Sequence, residues 1–167
     1  MKRKIFSGVF SCLLIISIAI LSGCNFGTGN FSPEAVVRQY MVAYAKGDLY
    51  SELLCMPDYV IRKFAQNTGL DNESDRRTVA QEIVSRGYFR DHTADVVVHS
   101  CSTEYIPVSD YPIDPAEYGM TEEEHRQIKR FAVVKVEYTW TENGVTEKHT
   151  NSVRCVQMAN TWFILDF

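Results

Sequence analysis

The chain has 167 residues, 46% of them hydrophobic and 23% charged, with five cysteines and a formal net charge of −4. That composition excludes collagen-like, coiled-coil and fully disordered chains, and the length supports one ordinary domain rather than two. The acidic balance gives no support for nucleic-acid binding, which wants a basic surface.

The charge is unevenly spread. Lys2, Arg3 and Lys4 open the chain, and no acidic residue occurs before position 24. Ile5 to Leu21 is almost wholly apolar, and Leu21-Ser22-Gly23-Cys24 closes the segment. A cationic start, an apolar run and a small-residue end make a secretory signal peptide over 1–23. The apolar run is short for a membrane span and is interrupted by Ser7, Gly8, Ser11 and Ser17. Leu21-Ser22-Gly23-Cys24 resembles the lipobox of bacterial lipoproteins. The resemblance implies cleavage before Cys24, diacylglycerol on its thiol, and a membrane-anchored chain facing the extracytoplasmic side. Two or more acyl chains hold a protein stably on a bilayer. Without the first 23 residues, 144 positions remain with 14 basic and 21 acidic side chains, a formal −7. Residues 24–31 are uncharged and Gly-containing and read as a flexible tether.

A single domain is expected over 32–167. Ser32-Pro33-Glu34 starts a helix with a Ser cap, Pro in the first turn and an acid at the positive end of the dipole. Val36, Val37, Tyr40, Met41 and Tyr44 make its apolar face, and Gly47 stops it. Asp48 caps a second short helix carrying Leu49, Leu53 and Leu54, ended by Pro57. Asp58 caps a third, with Tyr59, Val60, Ile61 and Phe64 ahead of Gly69. A polar loop follows, and a fourth helix runs from Asp75 to Arg86.

Strands dominate the rest. Ala94 to Ile106 is rich in Val, Thr and Tyr. Pro107 to Gly119 reads as a long loop or insertion, with Asp110, Asp114 and Glu117 solvated rather than gathered around calcium. Thr121 to Glu124 is a capping box before a short helix through Lys129. Phe131–Thr141 and Val145–Met158 flank Asn143-Gly144, the strongest hairpin signal in the chain. With Asn143 and Gly144 as the loop, Trp140 faces Glu147, Tyr138 faces His149, Val136 faces Asn151, Val134 faces Val153 and Ala132 faces Cys155. Those pairs share the inner face. Thr139–Lys148, Glu137–Thr150 and Lys135–Ser152 occupy the solvent face. For the last strand, a three-residue loop at Ala159-Asn160-Thr161 is preferred. It puts Phe163, Leu165 and Phe167 inside and pairs Arg154 with Asp166 outside.

Helices followed by a long antiparallel sheet make an α+β domain. The Ser32-Pro33-Glu34 helix, the Gly47-Asp48 break, the Asn143-Gly144 hairpin and the Trp162-Phe163-Ile164-Leu165 strand resemble the NTF2-like (cystatin-like) superfamily. The resemblance covers roughly 31–167 and implies helices packed into the concave face of a curved antiparallel sheet. It also implies a cavity there, which in some members is catalytic, and homodimerisation through the convex face.

Candidate chemistry is sparse. Cys55, Cys101 and Cys155 follow Cys24. Cys101 and Cys155 both fall on predicted strands, so a cross-sheet disulfide is geometrically possible. Three buried thiols acting as small hydrophobes is the favoured reading. His92, His99, His125 and His149 have no zinc-ligand spacing, and no metal or other cofactor is expected. The site candidate is the polar end of the inner face, where Tyr138, Trp140, Glu147, His149 and Asn151 converge as ligand-binding residues. No catalytic motif is present. The expected function is a membrane-anchored, non-catalytic module binding a small apolar ligand or an envelope partner. The alternatives are a cavity enzyme (isomerase, cyclase or hydrolase) using His149 with Tyr138, or an assembly factor of the envelope.

Overall fold

The computed structural model describes residues 30–71, 74–87, 94–111 and 113–166. The predicted signal peptide, Cys24, most of the tether, His92 and Phe167 lie outside the described residues. Among the described residues, four helices precede the sheet: α1 (Pro33–Ala45), α2 (Leu49–Leu54), α3 (Asp58–Asn67) and α4 (Arg76–Ser85). Strand β1 (Asp95–Ile106) is followed by a 3-10 turn at Val108–Asp110 and by short helices α5 (Pro115–Tyr118) and α6 (Glu122–Gln127). Strands β2 (Ile128–Glu142), β3 (Val145–Met158) and β4 (Thr161–Asp166) complete one antiparallel sheet in the order β1-β2-β3-β4. The domain is α+β, as expected. Among the described residues no helix is long and apolar enough to cross a membrane.

The capping chemistry accounts for the helix starts. Ala35 N–H donates to Ser32 Oγ at 3.1 Å, Ser51 N–H to Asp48 Oδ1 at 3.1 Å and Thr78 N–H to Asp75 Oδ1 at 2.9 Å. Each such cap contributes about 1 kcal/mol. Asp58 is not the cap of α3. Pro57 takes that position without a side-chain hydrogen bond, and Asp58 is the first helical residue. In α6 the box is reciprocal: Glu124 N–H donates to Thr121 Oγ1 at 3.2 Å and Thr121 N–H to Glu124 Oε2 at 2.9 Å. That helix stops at Gln127, short of Lys129, because β2 already begins at Ile128.

Asn143 and Gly144 both have positive φ, 51° and 77°. A two-residue turn of this kind matches strand twist and sets the register. The β2–β3 pairs run from Glu142↔Val145 through Tyr138↔His149 to Ala132↔Cys155, as the turn predicts. On the inner face Ala132, Val134, Val136, Val153 and Cys155 are buried against Val36, Val37 and Met41 of α1. The main core therefore lies between α1 and one face of the sheet.

Two expectations are corrected. The β3–β4 turn has two residues, Ala159 and Asn160, with Met158 opposite Thr161 and Ala159 at φ 52°. A one-residue change in turn length moves every side chain to the opposite face. Trp162 and Ile164 therefore enter the main core, while Phe163 and Leu165 pack on the outer side. Arg154 still pairs with Asp166, because an irregularity between Arg154 and Cys155 restores that one rung.

The 107–120 segment is also not a simply solvated loop. Ile113 and Met120 are buried with Tyr59, Ile128, Phe131, Val156 and Met158. The Tyr111 and Phe131 rings are 4.8 Å apart. The segment covers the outer face of the sheet at the end remote from the hairpin and builds a second core there. Bidentate pairing of Arg62 on α3 with Glu124 on α6, at 2.8 and 2.6 Å, fastens it.

Candidate functional site

At the hairpin end the core opens. The inner face becomes polar along β3, from buried Val153 through half-buried Asn151 and His149 to exposed Glu147. The C-terminal half of α1 passes above it. Tyr40, Met41 and Tyr44 from that half, with Tyr138, Trp140 and Glu142 from β2 and Glu147 and His149 from β3, line a groove of about 540 Å³. Its size lies in the range of small-molecule sites.

The aromatic rings line the groove in two groups. Tyr40 and Tyr44 stack at 6.1 Å with 15° between planes, and Tyr44 meets Trp140 at 5.8 Å. Tyr138 stacks with His149 at 5.2 Å and 26°. Aromatic pairs at such distances contribute about 0.5–1.5 kcal/mol beyond their buried area. The polar groups sit at the edges. Trp140 Nε1 donates to Glu142 Oε2 at 3.2 Å, and His149 Nε2 lies 3.4 Å from Glu147 Oε2. Burial pushes the Tyr40 and Tyr138 hydroxyls above their ordinary pKa, so both are neutral donors at physiological pH.

Of the sequence-predicted site residues, Tyr138, Trp140, Glu147 and His149 line the groove. Asn151 stands behind it, donating from Nδ2 to the Tyr138 hydroxyl at 3.2 Å and so orienting that ring. The structure adds Tyr40, Met41 and Tyr44, which share the helical apolar stripe and read in sequence as core. The Tyr40–Tyr44 pair, four residues apart at the helix end, was the signal available.

The possible Cys101–Cys155 disulfide is not formed. Cys55, Cys101 and Cys155 are free thiols. Cys101 sits opposite Val136 and Cys155 opposite Ala132, on strands separated by β2. Two strand spacings and four rungs amount to roughly 16 Å, against the 7 Å limit for a bridge. Burial pushes the Cys55 thiol up to about 12, with nearby Glu52 adding to the rise, so it is un-ionised.

Sequence reasoning also passed over Glu52. It is 4% exposed on α2, and its Oε1 has no hydrogen-bond partner. Burial, with Asp48 nearby, raises its carboxyl to about 7. Its charge also disfavours ionisation of Tyr40.

A second concavity, of about 630 Å³, lies beside α2–α4 and includes Arg62, Arg76 and Arg77. Two of those cations are held in ion pairs. Arg62 holds Glu124, Arg76 holds Asp58 and the carbonyls of Leu53 and Met56, and Arg77 lies 5.1 Å over the Tyr50 ring.

No family model, curated protein or solved structure matches the chain.

Proposed function

We propose that this chain is a lipid-anchored extracytoplasmic binding protein, tethered through Cys24, with an NTF2-like domain whose aromatic groove takes a small apolar or aromatic ligand. The observation that carries the reading is the wall of Tyr40, Tyr44, Tyr138 and Trp140 around the open end of the core. Flat aromatic walls with a few polar groups at the edge suit a ligand with an apolar body and a polar end. The NTF2-like assignment draws support from a helix seated on the inner face of an antiparallel sheet with its open end beside the hairpin. Binding is favoured over catalysis by the open rim. Glu147 has 64% of its side chain exposed and His149 38%, so a proton exchanged there competes with water. A homodimer through the outer face would use its hairpin half, since the chain's own 107–120 segment covers the other half.

The test uses the two tryptophans, one in the groove and one buried at the start of β4. Titration with N-phenyl-1-naphthylamine, a neutral apolar fluorophore, should saturate and quench Trp140 by energy transfer. Tyr44→Ala should weaken that binding at least about tenfold, one lost aromatic anchor being worth about 1.4 kcal/mol or more. Absence of saturable binding, or equal binding by the variant, would count against the groove as a site.

A further inference from the structure

The described chain enters the domain at the end of the sheet remote from the groove. Trp162 N–H donates to Asn30 O at 2.9 Å, which pins that residue to the start of β4. Phe31 follows, 78% exposed, and Tyr105 nearby is 52% exposed. The Tyr105 ring is 5.9 Å from the Trp162 ring. The Arg130 guanidinium lies over both, at 5.4 and 5.9 Å, while its Nε donates to Gln157 Oε1 at 2.8 Å. Lys129, beside it, is exposed. Exposed aromatic rings next to cations are the groups that the headgroup region of a bilayer accepts, the rings at its apolar boundary and the cations at the phosphates.

Acyl chains on Cys24 would lie six residues before Asn30. Six residues reach about 20 Å when fully extended. The surface around Asn30 is therefore confined near the headgroups whatever the tether does. We propose that the domain rests on the lipid surface through this end, with Phe31 and Tyr105 entering the headgroup region and Arg130 and Lys129 meeting lipid phosphates. The proposal depends on lipidation at Cys24 and goes beyond it by fixing the orientation of the domain.

Orientation has a functional consequence. Tyr105 pairs with Ala132 and Val96 with Trp140. Eight residues of β2 thus separate the lipid-facing end from the groove, about 26 Å at strand rise. The groove opens away from the bilayer, so its ligand arrives from the aqueous side of the envelope rather than from the membrane. The net −7 of the mature chain opposes unspecific contact with anionic lipid, so Arg130 and Lys129 carry the electrostatic attraction at this end.

The test places an acrylodan label at Phe31→Cys, Tyr105→Cys or Thr146→Cys of the lipidated full chain. The half-exposed Cys101 is replaced by Ser, and the protein is reconstituted in mixed phosphatidylcholine–phosphatidylglycerol vesicles. With doxyl-labelled lipid present, labels at 31 and 105 should be quenched several-fold more than the label at 146. Arg130→Glu should roughly halve the quenching at 31, since a basic residue near the surface contributes attraction to anionic lipid. Equal, water-like emission at all three positions in a vesicle-bound chain would overturn the docking and leave the anchor standing. Mass spectrometry of the chain isolated from the membrane fraction should show Cys24 as a diacylglycerol-bearing N-terminus. An unmodified Cys24 thiol there would overturn the anchor itself.

Discussion

Glu52 should make the fold less stable as pH rises. Its carboxyl is raised from 4.5 to about 7 by burial and by Asp48. The unfolded chain therefore ionises it first. Below about pH 4.5 the group is neutral in both states and has no effect. Between 4.5 and 7 the unfolded state releases the proton while the folded state keeps it, and stability falls. Above 7 the loss is complete. At about 1.4 kcal/mol per pH unit the full loss is about 3 kcal/mol. Glu52→Gln keeps the shape and removes the ionisation. The relevant assay is urea unfolding of the 25–167 fragment, unsubstituted against Glu52→Gln, at several pH values from 4.5 to 8. The difference should be small at pH 4.5 and grow to about 3 kcal/mol in favour of the variant at pH 8. With a urea slope of about 2 kcal/mol/M, the midpoint moves up by about 1.5 M. Parallel pH profiles for the two proteins, or a variant less stable at pH 8, would refute the reasoning that the buried carboxylate is uncompensated.

Other substitutions test separate parts of the structure. Ala159→Gly should stabilise by about 1 kcal/mol and raise the melting temperature by a few degrees, since Ala159 holds φ 52°, where alanine is strained and glycine is not. Thr121→Ala should cost about 1 kcal/mol in urea unfolding by leaving the start of α6 uncapped. Arg62 holds the Glu124 carboxyl below its ordinary range by direct hydrogen bonding. That pair's contribution should be present above pH 4.5 and fade as pH falls through the lowered value, and Arg62→Met should remove that acid-side slope from an unfolding series. Val134→Ala should cost about 2–3 kcal/mol by cavity formation under α1, read as a lower urea midpoint.

The sequence carried different parts of the structure with different force. The β2–β3 register was legible because Asn143-Gly144 has a strong turn preference and the alternation is period two. The β4 register was not. Ala159-Asn160 makes a two-residue turn with alanine at positive φ, a conformation its side chain does not advertise, and the resulting shift exchanged Trp162 and Ile164 for Phe163 and Leu165. The 107–120 segment concealed its role because Tyr111, Ile113 and Met120 follow neither helical nor strand period. In the groove, the β2 and β3 residues followed from the hairpin register. Tyr40, Met41 and Tyr44 did not, because a helical apolar stripe looks the same whether it ends over a packed core or over an opening. Glu52 was hidden for the opposite reason: an acid on a short helix reads as solvated until tertiary packing buries it.

The central claim is an occupied groove at the hairpin end of a membrane-tethered domain. Native mass spectrometry of the full-length protein released from its own membranes tests it most directly. Wild type should carry a non-covalent adduct that Tyr44→Ala and Trp140→Ala lose while remaining folded. A bare wild-type mass, or an adduct retained equally by both variants, would contradict the account.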